Sequence, residues 1–198
     1  IKDTALALAD AALMGARGNS GIIFAQFLYG FSKDIKDSPT MTIAEFAECA
    51  RNGSECAYYA LANPKEGTMI SVIKDWANNI YETKDDTDDF TTLLLGALTV
   101  AMESLKQTGK FIAAKAKTFV DAGAKGFAVF LEGMCEYFNS GEKSVQIAEA
   151  EIVDSEWLGG ISHEVITFRY CTEALLIGED LEREKISSLI ETMGDCLV

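Results

Sequence analysis

From residue 4 to about residue 138, apolar side chains recur almost everywhere at three- and four-residue spacing, with few β-branched runs between them. That period places one apolar stripe along each helix and leaves no strand long enough to seed a sheet. The spacing predicts helices near 4–14, 20–35, 42–62, 68–83, 90–108, 110–117 and 125–138. The third carries its own start signal: Thr42 followed by Glu45 is a capping-box pattern, with Pro64 just beyond the end. Its inward face is expected to be Phe46, Cys49, Ala50, Gly53 and Ala57. The helix through Ile22 is apolar almost all round, so it needs neighbours on most sides and implies a bundle.

After Phe138 the pattern changes. Residues 139–160 lack sustained helical period and read as a linker, and "HEVITFRYCTEALLIG" (163–178) is rich in β-branched and aromatic residues, as a strand would be. "EDLEREKISSLIETMGD" (179–195) reads as an amphipathic helix with acidic residues in its first turn, and "GDCLV" as a strand just begun. The expectation is an all-α domain over 1–138 followed by the start of a small β-α-β domain over 161–198, with sequence missing at both ends of the chain.

The net charge of −14 opposes nonspecific binding to nucleic acid or an anionic bilayer. No apolar run approaches the roughly 20 residues of a spanning helix, so the reading is soluble, without a membrane span. Five cysteines without C-x-x-C spacing suggest neither a disulfide framework nor a zinc ribbon and fit a reducing cytoplasm. A single histidine, His163, leaves no histidine-based metal site within the chain. His163 and Cys171 cannot form a nucleophile–base pair along one strand, because eight residues of extended chain separate them by roughly 26 Å. A buried structural cysteine is the default for Cys171. The acidic run 82–89 reads as a solvated loop rather than a metal site.

The chemistry-bearing pattern is glycine at helix starts. In "GARGNSG" (15–21), Gly18 and Gly21 permit close approach, and Asn19 and Ser20 add donors ahead of an apolar helix. Arg17 would supply a charge or pair with an acidic neighbour. The loop is neither a Walker loop, G-x-x-x-x-G-K-S/T, nor a G-x-G-x-x-G fingerprint after a strand. A phosphate cradle and a tight inter-helix turn with Ser20 as N-cap both fit it. "PKEGTM" (64–69) places Gly67 and Thr68 at another helix start, with Met69 a core residue or a nucleotide contact. "VDAGAKG" (120–126) places Gly123 beside Asp121, itself an N-cap or a site residue. Three such loops suggest several helix N-termini converging on one anion.

"LMGARGNSGIIFAQFLYGF", "PKEGTMISV", "SLKQTGKF" and "VDAGAKGFAVFLEGM" resemble, in order and spacing, the DhaL-type nucleotide-binding domain of the dihydroxyacetone kinase family. Within it they are similar to the fatty acid kinase branch and its relatives fused to fatty-acid-binding DegV-type domains. The resemblance covers about residues 1–138, and "RYCTEALLIG" resembles the start of the middle domain that follows in this branch. It implies an antiparallel helical barrel binding ATP with magnesium at one end. Gly18, Asn19, Ser20 and Gly21 would lie at the phosphates, Thr68 and Met69 near the nucleotide, and Asp121 with Gly123 in the loop closing over it. Cys171 would be a functional middle-domain position. The family's magnesium-binding G-D-G-D-x-G motif would lie upstream of Ile1, so the chain alone is expected to be a poor kinase. The implied activity is phosphoryl transfer to a fatty acid carboxylate presented by a DegV-type partner or fused domain. A dihydroxyacetone-type acceptor and a noncatalytic scaffold remain the alternatives. A homodimer through the open strand edge is a further possible partner arrangement.

Overall fold

The computed structural model of the chain describes residues 1–112, 120–141, 172, 174, 176–194 and 197. Helices α1 (Lys2–Gly15), α2 (Gly18–Ser32), α3 (Ile43–Ala60), α4 (Met69–Thr83), α5 (Phe90–Ile112) and α6 (Ala122–Ser140) form the body, and α7 (Arg183–Ile190) precedes a 3₁₀ turn at Glu191–Met193. The chain is all-α among the described residues, where no strand occurs. The expected strand over 163–178, the linker beyond 141 and Cys171 fall mostly or wholly outside the described residues, and 172, 174 and 176–178 are not in a strand. The expected helix 179–195 is shorter than its period suggested: Asp180 takes φ +59°, a left-handed conformation uncommon for a residue with a Cβ, and the helix begins only at Arg183.

Each helix in the body packs on the next in the chain, and α4 also packs on α6. Three ring contacts return α6 to α2: Phe24 meets Phe127 at 6.1 Å and Phe130 at 5.1 Å, and Phe27 meets Phe127 at 5.4 Å, all edge to face. The ring of helices thereby closes around Phe27, Trp76 and Phe127, which are 3%, 2% and 2% exposed. Trp76 lies 5.9 Å from Phe27 and 6.0 Å from Phe127, with Phe46 at 6.2 Å. Edge-to-face pairs of this kind add about 0.5–1.5 kcal/mol each beyond area burial.

Local sequence explains the helix ends. Thr42 Oγ1 accepts from the Glu45 amide at 3.2 Å while the Thr42 amide donates to Glu45 Oε2 at 2.9 Å, so the capping box forms as read. The expected face of α3, Phe46, Cys49, Ala50, Gly53 and Ala57, is buried. Burial first, then the Asp34, Glu45 and Glu48 carboxylates, pushes the Cys49 thiol up to about 11, which suits a core residue. In the acidic loop, Asp89 accepts from the amides of Thr91 and Thr92, at 3.3 and 2.9 Å, and starts α5. Helix α5 then runs through Gly109 to Ile112, where a break had been expected near 108–110. A lone interior glycine costs about 1 kcal/mol against alanine, too little to end a helix whose apolar stripe packs on α4 and α6.

Helices α2 and α3 make the closest crossing. A Cβ added to Gly30 would lie 2.5 Å from the Asn52 carbonyl and 2.6 Å from Cys56 Cβ, and one added to Gly53 would lie 2.8 Å from the Phe27 carbonyl. Backbone atoms cannot give way as a flexible side chain can. At the far end of α3, Arg183 donates to the Tyr59 carbonyl at 2.9 Å and the Ala62 amide to the Leu197 carbonyl at 3.1 Å.

Gly30→Ala and Gly53→Ala are expected to destabilise the fold by roughly 1–3 kcal/mol. Gly96→Ala, on an exposed α5 position with nothing within 4 Å, should stabilise it by up to about 1 kcal/mol. Urea midpoints decide both; equal midpoints for all variants would remove the tight crossing. A second expectation concerns pH. The Glu45 carboxyl is held at about 2, well below its usual 4.5, first by Lys36 and then by the Thr42 amide and hydroxyl. A depressed carboxyl stabilises the fold above its unfolded value and loses that contribution as pH falls through its folded value. The melting-temperature advantage of wild type over Glu45→Gln should therefore be full near neutrality and fade between about pH 4.5 and 2; a constant difference down to pH 2 would contradict it.

Candidate functional site

The turn between α1 and α2 is two residues long, Ala16 and Arg17. Gly18 follows with φ +65°, a left-handed backbone that glycine adopts without the Cβ penalty. Arg17 is the N-cap of α2, and its guanidinium donates to the Ala16 carbonyl at 2.6 Å and the Met14 carbonyl at 3.4 Å. Both bonds come from Nη1 and meet carbonyls at the C-terminal end of α1, and neither goes to an acidic neighbour. Ser20 is the third residue of α2 and not its cap, because the positive φ at Gly18 lets the helix start two residues before the serine. Ser20, Gly21 and Phe24 line a cleft of about 410 Å³.

The start of α4 reaches the same cleft. Gly67 turns the chain with φ +78°, and its amide donates to Ser71 Oγ at 2.9 Å while Ser71 Oγ donates to Glu66 Oε2 at 2.5 Å. That donation, with Lys74 secondary, holds the Glu66 carboxyl below its usual range. Thr68 is the N-cap, yet its hydroxyl donates back to the Lys65 carbonyl at 2.8 Å and does not cap the helix. Met69, the first residue of α4 and 4% exposed, belongs to the core and also lines the cleft.

The third wall is the first two turns of α6. Asp121 is its N-cap, with Oδ1 accepting from the Ala124 amide at 2.7 Å. The Asp121 amide donates to the hydroxyl of Thr108, a fully buried residue of α5, at 3.2 Å. A Cβ added to Gly123 would overlap Ser20 Oγ and lie 3.0 Å from Ser20 Cβ, so the starts of α2 and α6 are in contact. Gly123 and Gly126 give the cleft an open backbone face. Phe127 and Phe130 face Phe24 at 6.1 and 5.1 Å and make its apolar wall.

Of the residues singled out in the sequence, Ser20, Gly21, Met69 and Gly123 come together on this cleft. Gly18 and Asn19 immediately precede them on α2; Thr68 and Asp121 are the caps directly before Met69 and Ala122 and are not part of the lining. Asp121 takes the N-cap alternative. Sequence reasoning missed Phe24, Gly126, Phe127, Phe130 and Thr108. The aromatic members carry a weak signal, since Phe24 and Phe127 each follow a site residue, Ser20 and Gly123, by four positions and so share its face. Among the described residues no group of three or more His, Cys, Asp or Glu could hold a metal ion, and the Asp121 carboxylate is engaged as a cap. Among the described residues, then, the cleft gathers no cluster of carboxylates for a magnesium ion. A second cavity, about 230 Å³, lies at the other end of α2 beside Asp34, Lys36, Glu45 and Cys49 and includes none of the glycine loops. No helix among the described residues is long and apolar enough to cross a membrane.

Comparison with known proteins gives this arrangement a family. The DAK2 domain model matches residues 1–136. The chain is similar to an uncharacterized protein of Staphylococcus epidermidis, 37% identical over 174 residues, and to one of Staphylococcus saprophyticus, 35% identical over 170. A protein of Staphylococcus aureus strain USA300, also uncharacterized, is 35% identical over 170 residues. Each alignment covers 83% of this chain but 31% of the relative, so the chain spans under a third of their length. The family match extends from α1 through nearly all of α6, the helices that build the cleft, and the chain belongs to the DAK2 domain family, of the DhaL type.

Proposed function

We propose that the cleft holds a nucleotide and that the chain is the ATP-binding part of a kinase. DhaL-type domains bind ADP or ATP in general, which makes nucleotide the first candidate for a cleft in such a domain. The observation that carries the reading is that the starts of α2, α4 and α6 meet on one cavity. In this reading the first-turn amides and the positive ends of these helix dipoles face the ligand, and the polyphosphate of ATP is the anion that such a cradle suits. Gly21, Gly123 and Gly126 let a ligand approach the backbone, while Phe24, Phe127 and Phe130 supply apolar surface for a flat base and keep water from it.

In this reading the acceptor is a fatty acid carboxylate presented by a DegV-type fatty-acid-binding protein or fused domain in the cytoplasm. One carboxylate oxygen attacks the γ-phosphorus, the bond from that phosphorus to the bridging oxygen breaks, and ADP leaves with the bonding electrons, giving an acyl phosphate. Charge on the β- and γ-phosphates is met by the first-turn amides of the three helices, which need no rearrangement as the charge shifts. No step is assigned to a metal, since the described residues do not make a site for one. The segment 161–198 would open an α/β middle domain, with Cys171 in it, and its open edge would allow a homodimer. The family also gives weight to a hydroxy-ketone acceptor of the dihydroxyacetone type.

Gly123→Ala places a methyl group against Ser20 and is expected to weaken ADP binding about tenfold or more, measured by titration calorimetry. Gly133→Ala, on the same helix with nothing within 4 Å, should bind ADP like wild type. Equal affinity in all three proteins would take the nucleotide out of this cleft. For the acceptor, a longer protein containing this chain, given ATP and a DegV-type protein loaded with fatty acid, should yield a hydroxylamine-trapped acyl product. Formation of a hydroxy-ketone phosphate instead, with no trapped acyl product, would overturn the carboxylate acceptor and keep the kinase.

A further inference from the structure

The geometry assigns Thr108 a role as the positioning residue of the cleft: its buried hydroxyl fixes where α6 begins and so sets the Gly123–Ser20 contact. The inference rests on the nucleotide reading for its effect on binding, but the positioning itself is independent of any ligand. Thr108 is a polar side chain with no solvent exposure, on the last described turns of α5. Its hydroxyl hydrogen is committed to the Leu105 carbonyl, three residues back, at 2.8 Å. That bond fixes the rotor and aims a lone pair across at the Asp121 amide, 3.2 Å away. Asp121 then holds the Ala124 amide through Oδ1 at 2.7 Å, so one relay runs from the interior of α5 to the first turn of α6.

Between those two bonded amides sits Gly123, packed so closely on Ser20 that a methyl group has no room. A small displacement of the α6 start therefore changes the width of the cleft directly. The rest of α6 is held separately by Phe127, Ala128 and Leu131 in the core. Loss of the relay should accordingly loosen the first turn without releasing the helix. Nothing in the site needs a hydroxyl at 108 for contact with a ligand, because Thr108 does not line the cavity.

The test uses the whole chain as wild type, Thr108→Val, which keeps the shape and removes the hydroxyl, and Thr108→Ser, which keeps the hydroxyl. Amide hydrogen exchange of the ligand-free proteins is read at Asp121 and Ala124, together with ADP affinity by calorimetry. Thr108→Val is expected to exchange at least tenfold faster at these amides, with core amides of α4 unchanged, and to bind ADP about tenfold more weakly. Thr108→Ser should restore both to within about threefold of wild type. Wild-type exchange rates in Thr108→Val would overturn the inference, as would failure of Thr108→Ser to restore them. Faster exchange with unchanged ADP affinity would overturn the link to the cleft while leaving nucleotide binding in place. If wild type binds no ADP, the nucleotide reading fails and the exchange rates still decide the role of Thr108. If Thr108→Val does not fold, protection in Thr108→Ser equal to wild type supports the inference and lost protection there overturns it.

Discussion

Everything about this site depends on where the ring of Phe127 sits. It packs edge-on to Phe27 and Trp76 and touches Phe24, and these contacts bring α6 back to α2 and close the body. Gly123 lies four residues before Phe127 and Ser20 four before Phe24, each pair on one helix face about 6 Å apart along the axis. Once half-buried Phe24 meets Phe127 at the edge of the core, the two first turns meet at the rim. The cleft is thus a consequence of core packing at a fixed helical register, and the loops do not have to find each other independently. Burying one such aromatic ring is worth about 1.5–3 kcal/mol, more than the small terms that govern loop conformation.

The glycines do different physical work in the two parts of the body. Gly123 at the rim and Gly30 and Gly53 lower down remove a Cβ where two helices come within contact of each other's backbone or side chain. At Gly18 and Gly67 the requirement is backbone conformation, a positive φ where the chain turns into a helix. The first use lets helices approach closely, and the second turns the chain into a helix start. A chain with alanine at these positions would have better intrinsic helices and a worse assembly.

How much of this was legible in the sequence follows from the range of each interaction. The capping box at Thr42 and Glu45 and the inward face of α3 rest on neighbours within one or two helical turns, and both read correctly from spacing alone. The glycine loops were legible as helix starts for the same reason. The exact start of α2 was not, because Gly18 resolves it through a backbone angle that residue type permits but does not dictate. The helix through Gly109 was misread because an interior glycine weakens a helix without ending it, and packing on α4 decides the outcome. The Phe24–Phe130 and Thr108–Asp121 contacts were out of reach: Phe24 and Phe130 are 106 positions apart in the numbering, and the Thr108–Asp121 bond spans 13 residues with no periodic signature. Such contacts exist only once the ring of helices closes.

A net charge of −14 weighs against the nucleotide proposed for this cleft. Mean charge acts over long distances, where salt screens it beyond about 8–10 Å, whereas three helix starts act within hydrogen-bond range. The carboxylates are also unevenly placed. Asp34, Glu45 and Glu48 gather at the other cavity, and Asp121, the cap directly before the cleft residue Ala122, is turned to the Ala124 amide. The side chains on the cleft itself carry no formal charge, and three phenylalanines lower the local dielectric so that each amide dipole acts more strongly than it would in water. On the proposed reading, local backbone fields in an apolar cleft attract phosphate although the molecule as a whole repels it.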